Sequence, residues 1–279
     1  MQIIRTVADL RKATAPWRLR GETIALVPTM GALHDGHLAL VDKAAEAATH
    51  TVVSIFVNPA QFGPTEDLDR YPRDEEADLR RLREKRVNLV WAPSVSEMYP
   101  EQFSTTINPG SSAEGLETTF RPHFFQGVAT VVMKLFQQVR PDFALFGEKD
   151  YQQLCVVRQL VRDLNVPTGI IAVPTMREPD GLALSSRNAY LSPDERNIAP
   201  HLYQAIMDVA AAARTGDLEA LKQEAAAKLI SHGFREVDYV EVRDAETLGS
   251  FDPGSGRSGR VLAAAWLGTT RLIDNVPVP

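Results

Sequence analysis

His34 and His37 stand three positions apart in the stretch Thr23–Val41, TIALVPTMGALHDGHLALV, and they carry the first chemistry the chain offers. Residues three apart share one face of a helical turn. Two imidazoles there can donate to phosphate oxygens and to charge developing on a reacting phosphoryl group. The setting suits that use. Thr23–Val27 is a short apolar run rich in β-formers, which predicts a buried strand that Pro28–Gly31 should end. Leu38, Leu40, Val41, Ala44 and Ala45 then give the period of a helix. A strand that turns sharply into a helix aims backbone N–H groups beyond the strand end, which makes an anion site. Gly36 leaves room for a nucleotide to approach the backbone. A pair of surface histidines, or half of a metal site, stays open as the other reading.

Three further stretches bear groups of the same kind. In SIFVNPAQFGPTEDLDRYPR (54–73), the Gln61 amide carries donors and an acceptor suited to a hydroxyl and a carboxylate, and Phe62 and Tyr71 can wall an apolar substrate. In GEKDYQQL (147–154), Lys149 is a point charge for phosphate or carboxylate, and Asp150 can accept from ribose hydroxyls. In GLALSSRN (181–188), Ser185, Ser186 and the forked guanidinium of Arg187 suit the outer phosphates of a nucleotide. Each stretch alone reads equally well as a solvated turn or a capping serine.

Position argues for the functional reading. Strand-like runs (Ile3–Ile4, Thr23–Val27, Thr51–Val57, Val87–Trp91, Phe143–Phe146, Gly169–Val173) alternate with helix-like ones (Val7–Ala15, the run after His37, Arg73–Arg86, Ala129–Gln138, Tyr151–Leu164). Residues 94–127 read as irregular. Continuous rather than alternating apolar strands predict a parallel sheet covered on both faces. Ligands of such sheets bind beyond the carboxyl ends of the strands, where all four polar stretches fall. Beyond the boundary placed at 176/177, His201–Arg214 and Leu218–His232 read as helices, Val237–Val242 as a strand, and Arg260–Leu267 with Thr270–Ile273 as a hairpin before a Pro-containing tail. The expected architecture is an α/β domain over 1–176 and a smaller α+β domain over 177–279. GSGRSG at 254–259 is a loop; its glycine spacing fits no phosphate-binding loop.

Composition narrows the classes. The 279 residues carry a net charge of −6, against the basic face a nucleic-acid partner favours. The single cysteine, Cys155, rules out an internal disulfide and a thiolate zinc cluster, and its apolar-periodic helix assigns it to packing. MQIIRTVADLRK is neither a signal peptide nor a membrane span, so the expected location is the cytoplasm. No metal-ligand set is apparent.

The HDGH run after a strand resembles the HxGH signature of a nucleotidyl-transferring α/β superfamily that includes class I aminoacyl-tRNA synthetases. VPTMGALHDGH, SIFVNPAQF…EDLDRYPR, GVATVVMKLF, FGEKDYQQL, LALSSRN and LAAAWLGTTRLIDN together resemble, in order and spacing over nearly the whole chain, the pantoate–β-alanine ligase family. The resemblance implies a Rossmann-like domain, a C-terminal lid domain and a homodimer. It implies condensation of pantoate with β-alanine, driven by ATP going to AMP and pyrophosphate, with Mg²⁺ held mainly through the phosphates. Carried over, Met30, Gly31, Ala32, Leu33, His34, Asp35, Gly36 and His37 would bind ATP, with His37 as the acid. Gly147, Glu148, Lys149 and Asp150 would hold ribose and phosphates, Met176 the adenine through its backbone, and Leu184, Ser185, Ser186 and Arg187 the phosphates. Gln61 would contact both pantoate and β-alanine, and Gln153 pantoate. The family usually reads R-P-G-H-F before G-V. Here Arg121-Pro122-His123-Phe124-Phe125 puts Phe124 at the usual histidine position and His123 one place earlier.

A carboxylate and an amine do not condense unaided in water. The implied route activates the acid at the α-phosphorus of ATP and passes the acyl adenylate to the amine. No protein nucleophile is then required, and His34, His37, Lys149 and Arg187 are the catalytic candidates through positioning and cationic stabilisation. A nucleotidyltransferase acting on a phosphate ester would need no amine acceptor. A nucleotide sensor would need no acid subsite. An aminoacyl-tRNA synthetase would need an anticodon-binding domain that the remaining length does not hold.

Overall fold

The computed structural model describes residues 1–64 and 66–279. Thr65, inside the 54–73 stretch, lies outside the described residues. In chain order the elements are β1 (Gln2–Ile4), α1 (Val7–Leu19), β2 (Ile24–Thr29), α2 (Asp35–Ala47), β3 (His50–Ile55), α3 (Glu75–Glu84), β4 (Leu89–Trp91), α4 (Val95–Met98), α5 (Glu117–Phe120), α6 (Phe124–Val139), β5 (Phe143–Gly147), α7 (Tyr151–Asp163) and β6 (Gly169–Val173). There follow α8 (Pro193–Ile198), α9 (His201–Ala212), α10 (Leu218–Ser231), β7 (Glu236–Asp244), β8 (Gly259–Leu267) and β9 (Thr270–Val278). They gather into two compact units, residues 1–148 with 156–174, and residues 149–155 with 175–279.

The first unit is a Rossmann-like parallel sheet in the order β1-β4-β3-β2-β5-β6. From β2 the chain winds through β3 to β4, then returns to the other side of β2 for β5 and β6. The strand order therefore reverses between β2 and β5, which in open sheets of this kind is where ligands bind. Strands β2 to β5 are buried nearly end to end, as a sheet covered on both faces requires. Val27, Val53, Val90 and Leu145 pack with Leu40, Val41 and Ala44 of α2 and Leu79 and Leu82 of α3.

Two boundaries differ from expectation for identifiable reasons. β2 does not stop before Pro28; it runs to Thr29, in register with Ser54 and Ile55 of β3. The proline removes one ladder donor, and the Thr29 hydroxyl bonds the Ser54 carbonyl at 2.7 Å in the same region. α6 begins at Phe124, five residues before the expected start. Gly127 looks like a breaker in sequence, but its missing side chain is what lets the helix lie against the Pro59–Gln61 turn. A Cβ there would fall 2.8 Å from the Gln61 nitrogen and closer still to the Ala60 carbonyl. Residues 94–127, expected to be irregular, contain α4 and α5.

The second unit is an antiparallel sheet, β7-β8-β9, packed on α9 and α10 through Leu202, Ile206, Val209, Leu229, Val261, Ala263 and Leu272. Its last strand continues to Val278 instead of trailing off after Ile273. Pro277 is tolerated because β9 is an edge strand.

Gly127→Ala should destabilise the fold by about 1–3 kcal/mol, the usual cost of forcing a methyl into a closed contact. Urea denaturation checks this, and an unchanged midpoint would mean that the helix gives way freely.

Candidate active site

The turn after β2 is held in a shape the chain would not adopt alone. Gly31 has φ +80°, and Ala32, a residue with a side chain, has φ +49°. The device that fixes it comes from α3. Asp78 is 3% exposed, and its two carboxylate oxygens accept from the Ala32 N–H (2.9 Å) and the Leu33 N–H (2.7 Å). A Cβ on Gly31 would sit 2.9 Å from the same carboxylate, so glycine is required for the approach. Burial pushes the Asp78 carboxyl pKa up, and the two N–H bonds pull it back.

His34 and His37 follow in the geometry of an N-terminal cap. His34 caps α2, its Nδ1 accepting from the Gly36 N–H at 3.2 Å, while the His37 Nδ1 accepts from the His34 N–H at 3.3 Å. The rings lie 4.1 Å apart, tilted by 41°. Since both Nδ1 atoms accept from backbone, the neutral rings carry their protons on Nε2. The pair thus presents two Nε2–H donors at a helix N-terminus, a phosphate-binding arrangement. Asp35 is exposed in the first turn, 3.6 Å from Arg81.

Gln61 is oriented by a chain of bonds that ends in backbone. The buried Asn58 side chain accepts through Oδ1 from the Ala60 N–H (3.3 Å) and donates through Nδ2 to the Gly127 carbonyl (3.2 Å). A backbone N–H can only donate and a carbonyl only accept, so the Asn58 amide has one possible orientation. Its Nδ2 then also meets the Gln61 Oε1 at 3.0 Å, which turns the Gln61 N–H donors the other way, towards the Met30 sulfur at 3.3 Å. The Tyr99 hydroxyl completes the set by donating to the Asn58 Oδ1 at 2.7 Å; burial pushes its pKa to about 12, so it stays a neutral donor. The rings of Phe62 and Tyr71 meet edge-on, their centroids 6.0 Å apart.

In the second unit, Lys149 lies in the turn Glu148–Asp150 that enters α7, and Gln153 is half-buried on that helix. Gly147 ends β5 in the first unit. The Met176 carbonyl accepts from the Leu184 N–H at 2.9 Å, tying the two ends of the 176–184 segment. The Ser185 Oγ accepts from the Arg187 N–H at 3.3 Å and caps the turn Ser186–Tyr190. A capping hydroxyl keeps its own proton to donate. Cys155 is buried, its sulfur 3.9 Å from the Ala245 carbonyl. At the departure from the family pattern, Phe124 opens α6 with the Arg121 guanidinium 3.8 Å above its ring, and His123 precedes it without a side-chain cap.

Three residues that sequence reading did not assign to the site, Asp78, Asn58 and Tyr99, set its shape in the first unit. Asp78 had a visible signal: it is a charge on the buried stripe of α3, beside Leu79 and Leu82. Asn58 lies in the strand-end polar stretch 54–73, but its bond to Gly127 was not visible there, and Tyr99 had no signal, since these contacts join segments far apart in the chain. Among the described residues, no group of three or more His, Cys, Asp or Glu side chains gathers to hold a metal. No described helix is long and apolar enough to cross a membrane.

Comparison with known proteins places these features in context. The family model described as pantoate-beta-alanine ligase matches residues 2–277. The pantothenate synthetase of Mesorhizobium japonicum is 53% identical over 100% of this chain and 98% of its own length; that of Rhizorhabdus wittichii is 54% identical over 100% and 99%. Among solved structures, the pantothenate synthetase of Thermus thermophilus superposes with a TM-score of 0.91 at 47% identity, covering 100% of this chain and 99% of that one. The pantoate-beta-alanine ligase of Francisella tularensis, complexed with beta-gamma ATP and beta-alanine, gives 0.84 at 35% identity, over 99% and 97%.

Asp78→Ala should cost roughly 1–3 kcal/mol, the usual penalty when a buried donor such as the Leu33 N–H loses its acceptor. Asp78→Asn should recover part of the loss, because one acceptor oxygen remains while the amide N–H₂ opposes the second donor. Chemical denaturation of both variants measures the order; equal stability of Ala and Asn at 78 would contradict it.

Proposed function

The chain belongs to the pantoate–β-alanine ligase family, and from that premise we propose how its residues divide the work. The reaction is the ATP-dependent joining of pantoate to β-alanine to give pantothenate. It runs in two steps. A pantoate carboxylate oxygen attacks the α-phosphorus of ATP, the bond to pyrophosphate breaks, and pantoyl adenylate forms. The β-alanine amine then attacks the acyl carbon and AMP leaves.

The observation that carries this reading is the pair of histidines at the carboxyl end of β2, beside the reversal in strand order, with both Nδ1 atoms committed to backbone. His34 and His37 donate through Nε2 to phosphate oxygens, and His37 supplies the proton as the triphosphate breaks. Met30–Leu33, Asp35 and Gly36 shape the ATP loop around them. Gly147, Glu148, Lys149 and Asp150 hold ribose and phosphates, Met176 meets adenine through its backbone, and Leu184–Arg187 close on the outer phosphates. Lys149 and Arg187 neutralise charge developing in the first step. Gln61, its Oε1 taken by Asn58, acts as a donor to carboxylate and hydroxyl oxygens of the acid and the amino acid, and Gln153 holds pantoate. Mg²⁺ would be held mainly by the nucleotide phosphates and waters, where it would offset phosphate charge, as this hard cation commonly does at phosphate sites.

Residues 1–176 serve as the ATP- and pantoate-binding domain and 177–279 as the lid. The enzyme is a cytoplasmic homodimer, and its charge of −6 suits small-molecule substrates rather than nucleic acid.

If the acid is activated first, labelled pyrophosphate exchanges into ATP with pantoate present and β-alanine absent. Exchange that strictly requires β-alanine would point to a concerted three-substrate reaction. Lys149→Ala and Arg187→Ala should each lower this exchange by about 10²-fold or more, the usual scale for one preorganised donor. Cys155→Ser should leave turnover within a few-fold of the parent, in keeping with a buried packing role; a hundredfold loss with an intact circular dichroism spectrum would contradict that.

A further inference from the structure

The geometry points to Asp274 and Asn275, neighbours on edge strand β9, as positioning residues: Asn275 fixes the backbone of Lys149, and Asp274 fixes the segment that leads into Ser185–Arg187. The inference rests on the reading of Lys149 and Arg187 as phosphate ligands. All the groups involved lie within the second unit.

The bond from Asn275 to Lys149 is directional by construction. The Asn275 Nδ2 donates to the Lys149 carbonyl at 2.8 Å, and its Oδ1 accepts from the Arg260 Nε at 2.7 Å. Arginine has no acceptor and the Lys149 carbonyl no donor, so the amide cannot flip without losing both bonds. Arg260 stands opposite Pro277 on β8, two places along β9 from Asn275, so the two residues share one face of the sheet. The Arg260 guanidinium lies 4.0 Å above the ring of Tyr151, whose hydroxyl donates to the Ala245 carbonyl at 2.9 Å. The start of α7 is thus tied to the C-terminal sheet at Lys149 and again at Tyr151.

Asp274, on the opposite face of β9, serves the other segment. It accepts two parallel bonds from Arg177, at 2.6 and 2.9 Å, and one from the Asn275 N–H at 2.7 Å. Arg177 pairs antiparallel with Ala183 and also donates to the Gly181 carbonyl at 3.0 Å, closing the turn that delivers Leu184 and the serines. Its guanidinium lies 4.1 Å above Tyr203, and the packing there leaves no room for a Cβ at Gly181.

Burial makes a purely stabilising role a poor account. Asp274 is 4% exposed and Asn275 2%. A buried ion pair of this kind loses in desolvation much of what it gains in attraction, so apolar residues would hold the strand about as well. They would not set the Lys149 carbonyl and the 177–183 turn in one fixed register. The alternation of a strand lets two adjacent residues do this on two faces at once.

The test is Asn275→Asp, which keeps the size and the Arg260 partner but removes the donor to Lys149. It should still fold, with a lowered thermal midpoint, because the new carboxylate oxygen faces the Lys149 carbonyl while Arg260 keeps its partner. Pyrophosphate–ATP exchange with pantoate should fall by roughly tenfold to a hundredfold, the scale for a displaced catalytic group. Aminolysis of purified pantoyl adenylate by β-alanine should stay within a few-fold, since pyrophosphate has already left. Parental exchange, or equal loss in both half-reactions, overturns the inference. Arg260→Met carries the same test should Asn275→Asp not fold: it removes the N–H donor that fixes the amide and should show the same selective loss, while parental kinetics would overturn the inference. Lys149→Ala separates the two levels. If Lys149→Ala exchanges at the parental rate, the phosphate reading itself fails; if it is inactive while Asn275→Asp is not, only the positioning role fails.

Discussion

The backbone N–H groups of Ala32 and Leu33, in the turn after β2, donate to a buried carboxylate on a helix more than forty residues away. Asp78 holds Ala32 and Leu33 from α3, and this bond pair sets the left-handed conformation at Gly31 and Ala32. The cap at His34 follows directly from that turn. A helix N-terminus turns free N–H donors outward, and Asp78 fixes the turn that leads into this one. An apolar residue at 78 would pack as well on α3, but it would take away the acceptor of the buried Leu33 N–H, a loss proteins avoid. Burial raises the carboxyl pKa and the two N–H bonds oppose the rise, so the same group that shapes the loop carries an electrostatic cost for doing so.

Side-chain amides play a comparable part elsewhere. Amides are ambiguous in themselves, because oxygen and nitrogen are nearly the same size. Asn58 and Asn275 are each anchored by groups of fixed polarity. The Ala60 N–H and the Gly127 carbonyl fix Asn58, and Asn58 fixes Gln61; Arg260 and the Lys149 carbonyl fix Asn275. Each chain of bonds ends on a residue whose polarity the chemistry requires. Gly127 enters twice, supplying the carbonyl and, by lacking a side chain, the room for the Pro59–Gln61 turn to approach it. The donor face of Gln61 thus has a direction that backbone groups set through Asn58.

Much of this protein was legible in the sequence, and for definable reasons. The alternation of continuous apolar runs with amphipathic ones announced a covered parallel sheet because burial on both faces leaves no polar positions. The chemistry-bearing loops could be placed at the strand ends because each follows an apolar run in the chain. His34, His37, Gln61, Lys149 and Arg187 could be singled out as candidates because motif and strand end are adjacent in sequence.

Local relations were therefore open to a reader of the chain: which segments are strands, which turns carry donors and cations, and which family has these motifs in this order. The bonds made across long separations were not. Asp78 to Ala32 and Leu33, Asn58 to Gly127, Asn275 to Lys149, and the passage of β2 through Pro28 and of α6 back to Phe124 emerged only from the folded molecule. Hydrophobic periodicity records which face a residue turns inward, and it does so within a few turns of chain. It holds no record of which distant backbone group a buried polar side chain will meet, because that pairing is settled by packing, once the sheet order has brought the two together.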